Sequence, residues 1–545
     1  MIKQKLQIYP LGQIRAGGII LERMNRTVEK ILRHTKIRED FLQHFQHRSE
    51  KPTAPGGFVG FGMLLDAIVK AAAQGLGGKE MRNLKNRLIR ELIDTQSEDG
   101  NISIFSAKPG CWDNHEQAYI IQAFVGDFLL FGNRDSLKAA EKLGRFMIQQ
   151  KTSANIGVEQ AFLMLYEQTK NPLFLNYCVD QLKIRGSMKD YDEILPVNGI
   201  PHVYTYLART LAQLKYAVLA DDSDPHLQDG MREAFDRILH RGYAMVTGGI
   251  SGGRNWGEIW DKSQIGLGKC AETCAAAYLL RDIISMMALE GNAVYGDVFE
   301  RTMYNTFFAA QSHDGCSQKY FVPVNETGPW YEQDTYCCPN NFKRMVFELP
   351  QAICFKAEDG IAVNLYNEFE LEDEKAFLKL RGDYPDSDVL ELDVKPKTKQ
   401  KFALYFRIPM WCENAEIRIG TECFKGTPGT FLKIERLWKE STAVISLPMR
   451  IRFIAGKVAQ TGKAAVLRGP VVYGCTKDPG ISADLMKFAS DLGTEYRDGR
   501  ISVSMEYRRC GLQKKQIELV PFSDPGRDQV YFFAPERTET DELFQ

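Results

Sequence analysis

The sequence predicts a mainly helical protein with a β-rich C-terminal part: an α/α toroid or solenoid over residues 1–356, then an antiparallel β-sandwich over residues 357–545. Three observations predict it. Apolar residues recur at helical spacing from about residue 20 to residue 355, as they do when one stripe of each helix faces a core. After about residue 357 the repeat shortens to that of strands, with Gly, Pro, Asp and Asn turns between short apolar runs. A chain of 545 residues is also too long for one ordinary core and should divide into domains.

Taken in order, the elements justify this reading. Met81, Leu84, Leu88 and Leu92 form a stripe that Gln96-Ser97-Glu98-Asp99-Gly100 stops, and Leu143, Phe146 and Met147 form another that ends at Gln149-Gln150. Further helices are expected over 157–168, 203–217, 227–238, 272–288 and 297–308. Helix hairpins repeated at such spacing stack into a ring or a superhelix. Strands are expected over 361–366, 402–408, 443–447 and 465–473. This tail carries no cluster of titratable groups, so it is expected to pack or to contact carbohydrate and not to form a second catalytic centre. The last fifty residues, rich in Arg, Lys and Asp, follow neither pattern.

The composition, 44% hydrophobic and 11% aromatic, is that of a well-packed protein, and a net charge of -1 gives no field for nucleic acid or an anionic membrane. The expected partner is small and not strongly charged. Met1 to Gly12 lack the apolar run of a secretory signal, and no stretch approaches the ~18–20 apolar residues that span a bilayer, so a soluble, cytoplasmic protein is expected. Most of the twelve cysteines are scattered without a disulfide spacing and read as small buried hydrophobes.

Cys337-Cys338 stand apart. Neighbouring Cα atoms lie about 3.8 Å apart, whereas a disulfide wants roughly 4.4–6.8 Å, so vicinal cysteines favour metal binding or catalysis over bridging each other. With Glu272-Thr273-Cys274 they supply three thiols and a carboxylate, a full set for tetrahedral zinc. Glu272 and Cys274 are two residues apart and converge on one ion only at the first turn of a helix; read singly, Glu272 is an acid favoured by the helix dipole and Cys274 a buried thiol. The Gly-rich run from Gly248 to Gly257 permits a tight loop that lifts Glu258 into a cleft, with Trp256 as an apolar wall expected to raise its pKa toward that of a general acid. The plain alternative is a solvated loop glutamate.

The combined pattern resembles the β-L-arabinofuranosidase family, glycoside hydrolase family 127. It runs through Gly248-Gly249-Ile250 and Gly257-Glu258, Ala271-Glu272-Thr273-Cys274-Ala275, Glu300-Arg301 with Tyr304-Asn305-Thr306, and Cys337-Cys338-Pro339-Asn340. Weaker similarity continues through Phe406-Arg407-Ile408-Pro409 and Leu467-Arg468-Gly469-Pro470. The resemblance implies an (α/α)6 barrel followed by a β-sandwich, and a retaining exo-glycosidase that releases a terminal sugar from plant-type glycans. It implies zinc held by Glu272, Cys274, Cys337 and Cys338, with Cys337 as nucleophile and Glu258 as acid/base. That scheme departs from the usual pair of carboxylates; the metal keeps Cys337 as thiolate.

By the same resemblance His202, in Gly199-Ile200-Pro201-His202-Val203, and Glu300 and Tyr320 match sugar-contacting positions, and His115 lies in the sugar-contact type of stretch Trp112-Asp113-Asn114-His115-Glu116. Either histidine also reads as a satisfied core residue. Two family histidines are missing, with Asn155 and Gln122 at or near their places. Beside the β-L-arabinofuranosidase-like activity that the resemblance implies, these departures leave an alternative, the same family's chemistry on a different furanose branch, of which an acidic one would suit Arg254. Two other classes compete: a non-catalytic carbohydrate-binding protein with structural zinc, which does not require Glu258, and an α/α-barrel uronyl hydrolase or lyase, which does not require Cys337.

Overall fold

The computed structural model describes residues 4–52, 58–106, 110, 112–188, 196–197, 200–250, 258–331, 333–476, 486–489, 492–508, 512–524, 526–527, 529–535 and 537–545. Arg254 and Trp256 lie outside them, as do Cys111 and Cys510. Six inner helices form the barrel: α2 (Phe61–Ala73), α4 (Asp113–Phe131), α6 (Val158–Thr169), α8 (Val203–Leu219), α10 (Thr273–Glu290) and α12 (Cys337–Val346). Each packs on the next, and α12 packs on α2, which closes the ring. Outside them lie α1 (Gly18–Glu29), α3 (Gly78–Ile93), α5 (Arg134–Gln149), α7 (Pro172–Asp180), α9 (His226–His240) and α11 (Val294–Arg301).

Sequence decides which helices are inside. Outer α3 buries one stripe, Met81, Leu84, Leu88 and Leu92, and leaves its charged face to water. Inner α2 buries nearly every residue from Phe61 to Ala72, as a helix surrounded by others must. Asn133 and Asn171 cap α5 and α7 by accepting from the backbone N–H of Asp135 and Leu173. Gly132 and Gly291 end α4 and α10 at φ 70° and 59°, the left-handed turn that glycine tolerates best. Among the described residues no helix is long and apolar enough to cross a membrane.

The β-rich part has three sheets. The strands Cys354–Ala357, Gly360–Val363, Lys401–Ile408 and Thr430–Leu437 share one sheet with Leu6–Ile8. A second holds Phe369–Glu372, Ala376–Arg381, Val389–Pro396, Glu416–Ile419, Glu422–Lys425 and Ser441–Ser446 with Ile14–Ala16. The chain alternates between these two sheets, the pattern of a sandwich. The expected strand over 465–473 is two, Lys463–Arg468 and Val471–Cys475, joined at Gly469-Pro470. They belong to the third sheet, which closes on itself where Phe532–Phe533 pairs with both Lys463–Arg468 and Met486–Phe488. The C-terminal residues that fitted no pattern thus complete a barrel. At the other end of the chain the first two strands are sheet members, paired as Leu6 with Ala357 and Ile14 with Leu371.

Candidate active site

The six inner helices begin around one hollow. His202 caps α8: its Nδ1 accepts from the backbone N–H of Thr205 at 3.3 Å, so the ring proton sits on Nε2. Glu116 fastens the start of α2, its carboxylate accepting from the N–H groups of Val59, Gly60 and Gly62 at 3.0, 2.7 and 2.7 Å. Before Glu272 at the head of α10, Ala271 turns at φ 53°. Before Cys337 at the head of α12, Tyr336 lies at φ 151°, ψ 176°, a region otherwise left to glycine. Both helix starts that carry thiols are thus entered through strained backbone.

Glu272, Cys274, Cys337 and Cys338 each offer one ligand atom, and these atoms lie within 4.8 Å of one another. Cys338 Sγ is 3.2 Å from Cys274 Sγ and 3.5 Å from Glu272 Oε1. Glu272 Oε2 is buried and makes no hydrogen bond, although His202 Nε2 lies 3.5 Å away. An orphaned, buried carboxylate oxygen among three sulfurs is what a metal ion relieves. Asn341 Nδ2 donates to Cys274 Sγ at 3.2 Å, and Arg344 donates to Asn341 Oδ1 at 3.1 Å. Thiol hydrogen bonds from Cys274 and Cys338 hold the Cys337 thiol well below the ordinary thiol range, helped by Tyr320 and against burial. Burial pushes Cys274, Cys338 and Glu272 up.

A cavity of about 260 Å³ opens against this cluster. Cys337 is the one member of the four that lines it, and is only partly buried. Facing it are Glu258, His202, His115 and Tyr320, with Tyr204 and Tyr336 as aromatic walls. The Tyr320 hydroxyl donates to Glu258 Oε1 at 2.6 Å and lies 3.7 Å from Cys337 Sγ. His202 Nε2 is 3.4 Å from Glu258 Oε2. Burial pushes the Glu258 carboxyl up, but hydrogen bonds from His202 and Tyr320 outweigh it and hold it below the ordinary glutamate value. The raised acid expected from the sequence is therefore not found in the free protein. Burial pushes His115 down to about 3, so its ring is neutral; Nδ1 has no hydrogen-bond partner, and Nε2 lies 3.5 Å from the Tyr204 hydroxyl.

A sequence profile of the β-L-arabinofuranosidase GH127 catalytic domain matches residues 19–351, and one of the GH127 middle domain matches residues 360–449. The chain belongs to glycoside hydrolase family 127. It is accordingly a glycoside hydrolase. The non-reducing end β-L-arabinofuranosidase of Bifidobacterium longum subsp. longum is 22% identical over 513 residues, covering 78% of this chain and 76% of that protein. In solved structures the fold is matched by a GH127 β-arabinofuranosidase, TM-score 0.83 at 20% identity over 97% of this chain and 98% of that one. It is matched as well by a GH127 β-L-arabinofuranosidase of Geobacillus stearothermophilus T6, TM-score 0.78 at 20% identity over 96% and 100%.

Of the site residues read from the GH127 resemblance, the structure brings Cys337, Glu258, His202, Tyr320 and His115 to one cavity and groups the four metal-ligand candidates beside it. Glu300 it puts elsewhere, a correction to its reading as a sugar contact: the side chain is wholly buried against Arg407 and Tyr384 and does not line the cavity. Gln122 does not line it either, being held by the Gly157 carbonyl and by Arg344, and Asn155 is turned to Asn114. Sequence reasoning missed Tyr204, Tyr336 and Phe58, which also line the cavity. A signal existed for the first two, since each sits within two residues of a named candidate at a helix start; Phe58 carried none.

Proposed function

We propose that this chain is a retaining exo-β-L-arabinofuranosidase that uses Cys337 as nucleophile and Glu258 as acid/base, with zinc held by Glu272, Cys274, Cys337 and Cys338. One observation carries the reading: a single phenol, Tyr320, touches both Glu258 and Cys337 across the cavity, so attacking atom and proton donor flank a space the size of one sugar. When bound, zinc supplies a positive charge that keeps the thiol ionised and the helix starts together. The donor set, three soft sulfurs and one carboxylate, suits it.

In the first step the Cys337 sulfur forms a bond to the anomeric carbon as the bond from that carbon to the leaving oxygen breaks, and the Glu258 carboxyl gives that oxygen its proton. In the second, Glu258 as carboxylate takes a proton from water, the water oxygen bonds to the anomeric carbon, and the carbon–sulfur bond breaks. Two inversions give net retention. The depressed pKa of Glu258 suits the second step. His202 and Tyr320 orient the carboxyl, and neutral His115 lines the same cavity. Among the described residues that line this cavity none is Lys or Arg, which favours a neutral glycone over an acidic one, and Gln122 and Asn155 do not face it. Plain β-L-arabinofuranosides are thus the first substrates to offer.

Glu258→Gln tests the proposal. It keeps the shape of the side chain but cannot donate a proton, so kcat/KM should fall about 10²–10⁴-fold on methyl β-L-arabinofuranoside and much less on the 4-nitrophenyl glycoside, whose leaving group needs little acid. Equal loss on both would remove Glu258 from the acid role. Turnover of another furanoside alone would move the glycone and leave the chemistry in place.

A further inference from the structure

A second cavity, of about 330 Å³, adjoins the first. Glu258, Tyr320 and Tyr336 wall both, but Cys337 lines only the first. In a displacement at an anomeric carbon the nucleophile and the leaving oxygen lie on opposite sides, and the proton donor stands beside the leaving oxygen. The cavity with the sulfur therefore holds the glycone, and the one that shares only the proton donor receives what departs.

The second cavity is lined by aromatic side chains on fixed backbone. Tyr331 is anchored by its N–H, which donates to the Gln318 carbonyl at 2.8 Å, and its ring centroid is 5.6 Å from that of Tyr320 and 6.1 Å from that of Tyr336. Next to it Trp330 carries the Lys319 ammonium 4.6 Å from its ring centroid, and Lys319 is itself buried, so the indole is held in place while it walls the cavity. Pro329 and Lys269 stand exposed at the rim, and Lys269 makes no ion pair or hydrogen bond among the described residues. Aromatic faces with a phenol and an ammonium at their edge match a sugar ring, which offers a C–H face for stacking and hydroxyls at its periphery.

We propose that this second cavity is the leaving-group subsite and that it takes a saccharide residue stacked on Trp330 and Tyr331, which makes oligosaccharides rather than simple glycosides the preferred substrates. The proposal rests on the reading of Cys337 and Glu258 given above.

Two measurements test it on the metal-loaded protein. The ratio of kcat/KM for a β-L-arabinofuranosyl disaccharide to that for methyl β-L-arabinofuranoside should fall about ten-fold or more in Trp330→Ala and be largely restored in Trp330→Phe. Calorimetric affinity of the same disaccharide for the Glu258→Gln protein should drop by a similar factor when Trp330→Ala is added, which reads binding without turnover. A ratio and an affinity both within about two-fold of the parent would overturn the subsite. The two readings fail separately: full activity of Glu258→Gln with a shifted Trp330 ratio removes the acid and keeps the saccharide platform, whereas a Glu258-dependent enzyme with an unmoved ratio removes the platform alone.

Discussion

Cys337 differs from Cys274 and Cys338 in that its sulfur reaches the cavity, while theirs are wholly buried. A glycone-matched epoxide or haloacetamide should therefore label Cys337 and neither of its neighbours, read by peptide mass. Cys337→Ser should be nearly inactive, because a serine hydroxyl stays protonated near neutral pH and is a poor zinc ligand. The product of the parent enzyme, followed by NMR before mutarotation, should keep the substrate's anomeric configuration. Inverted product would exclude the double displacement, and labelling of a carboxylate would take the nucleophile off the cysteine. At this scale the sequence was informative where residue type alone restricts the chemistry, as for vicinal thiols beside Glu272 and Cys274. It misled on Glu300, read as a sugar contact, because a carboxylate serves equally for a sugar or for a buried arginine until its neighbours are known.

The helix starts explain how short segments far apart in sequence make one site. Glu272 and Cys274 belong to the cap and second residue of α10, where the helix has not yet imposed its spacing, and α12 opens on Cys337 itself. The next turn of α12 supports the sulfurs, since Asn341 donates to Cys274 and is held by Arg344, which also binds Asp66 on α2 and Gln122 on α4. Asn341→Leu removes the donor to a sulfur of the proposed zinc site and should weaken zinc binding about 10–100-fold, read by competition with a chelator. Unchanged zinc affinity would reduce Asn341 to packing. Helices were legible because their stripes repeat over several turns, as in Met81, Leu84, Leu88 and Leu92. Leu6–Ile8 and Ile14–Ala16 were not, because three residues are too few to show a period and their partners lie about 350 residues away. The third sheet was hidden for a related reason: its closure depends on the two residues Phe532–Phe533.

Barrel and sheets are held together at α11, the element that carries Glu300. Arg407, on the strand Lys401–Ile408, is fully buried; it donates from Nε to the Asn364 carbonyl at 2.6 Å, and its guanidinium lies 3.0 Å from Asp297 Oδ1 and 2.6 Å from Glu300 Oε2. A Cβ at Gly296 would meet Arg407 Cδ at 2.3 Å, so the arginine crosses α11 where only glycine leaves room. Asn305 in the turn after α11 then bonds the Pro470 carbonyl and the Val472 N–H of the third sheet, and Arg301 pairs with Asp541 and Glu542. Burial pushes Asp297 up to about 7 and raises Glu300, with Arg407 working against it in both. Arg407→Met leaves two buried carboxyls without their cation, which costs about 3–5 kcal/mol. Without the arginine their folded pKa values rise further above those of the unfolded chain, so they bind protons more tightly folded than unfolded. The deficit should then widen between about pH 6 and about pH 8, as the parent's folded Asp297, which sits at about 7, releases a proton that the variant's retains. Denaturation midpoints of parent and variant across that range check the sign, and kcat/KM per folded molecule should stay within about two-fold because none of these residues lines either cavity. An unchanged midpoint with a raised KM would instead return Glu300 to the sugar.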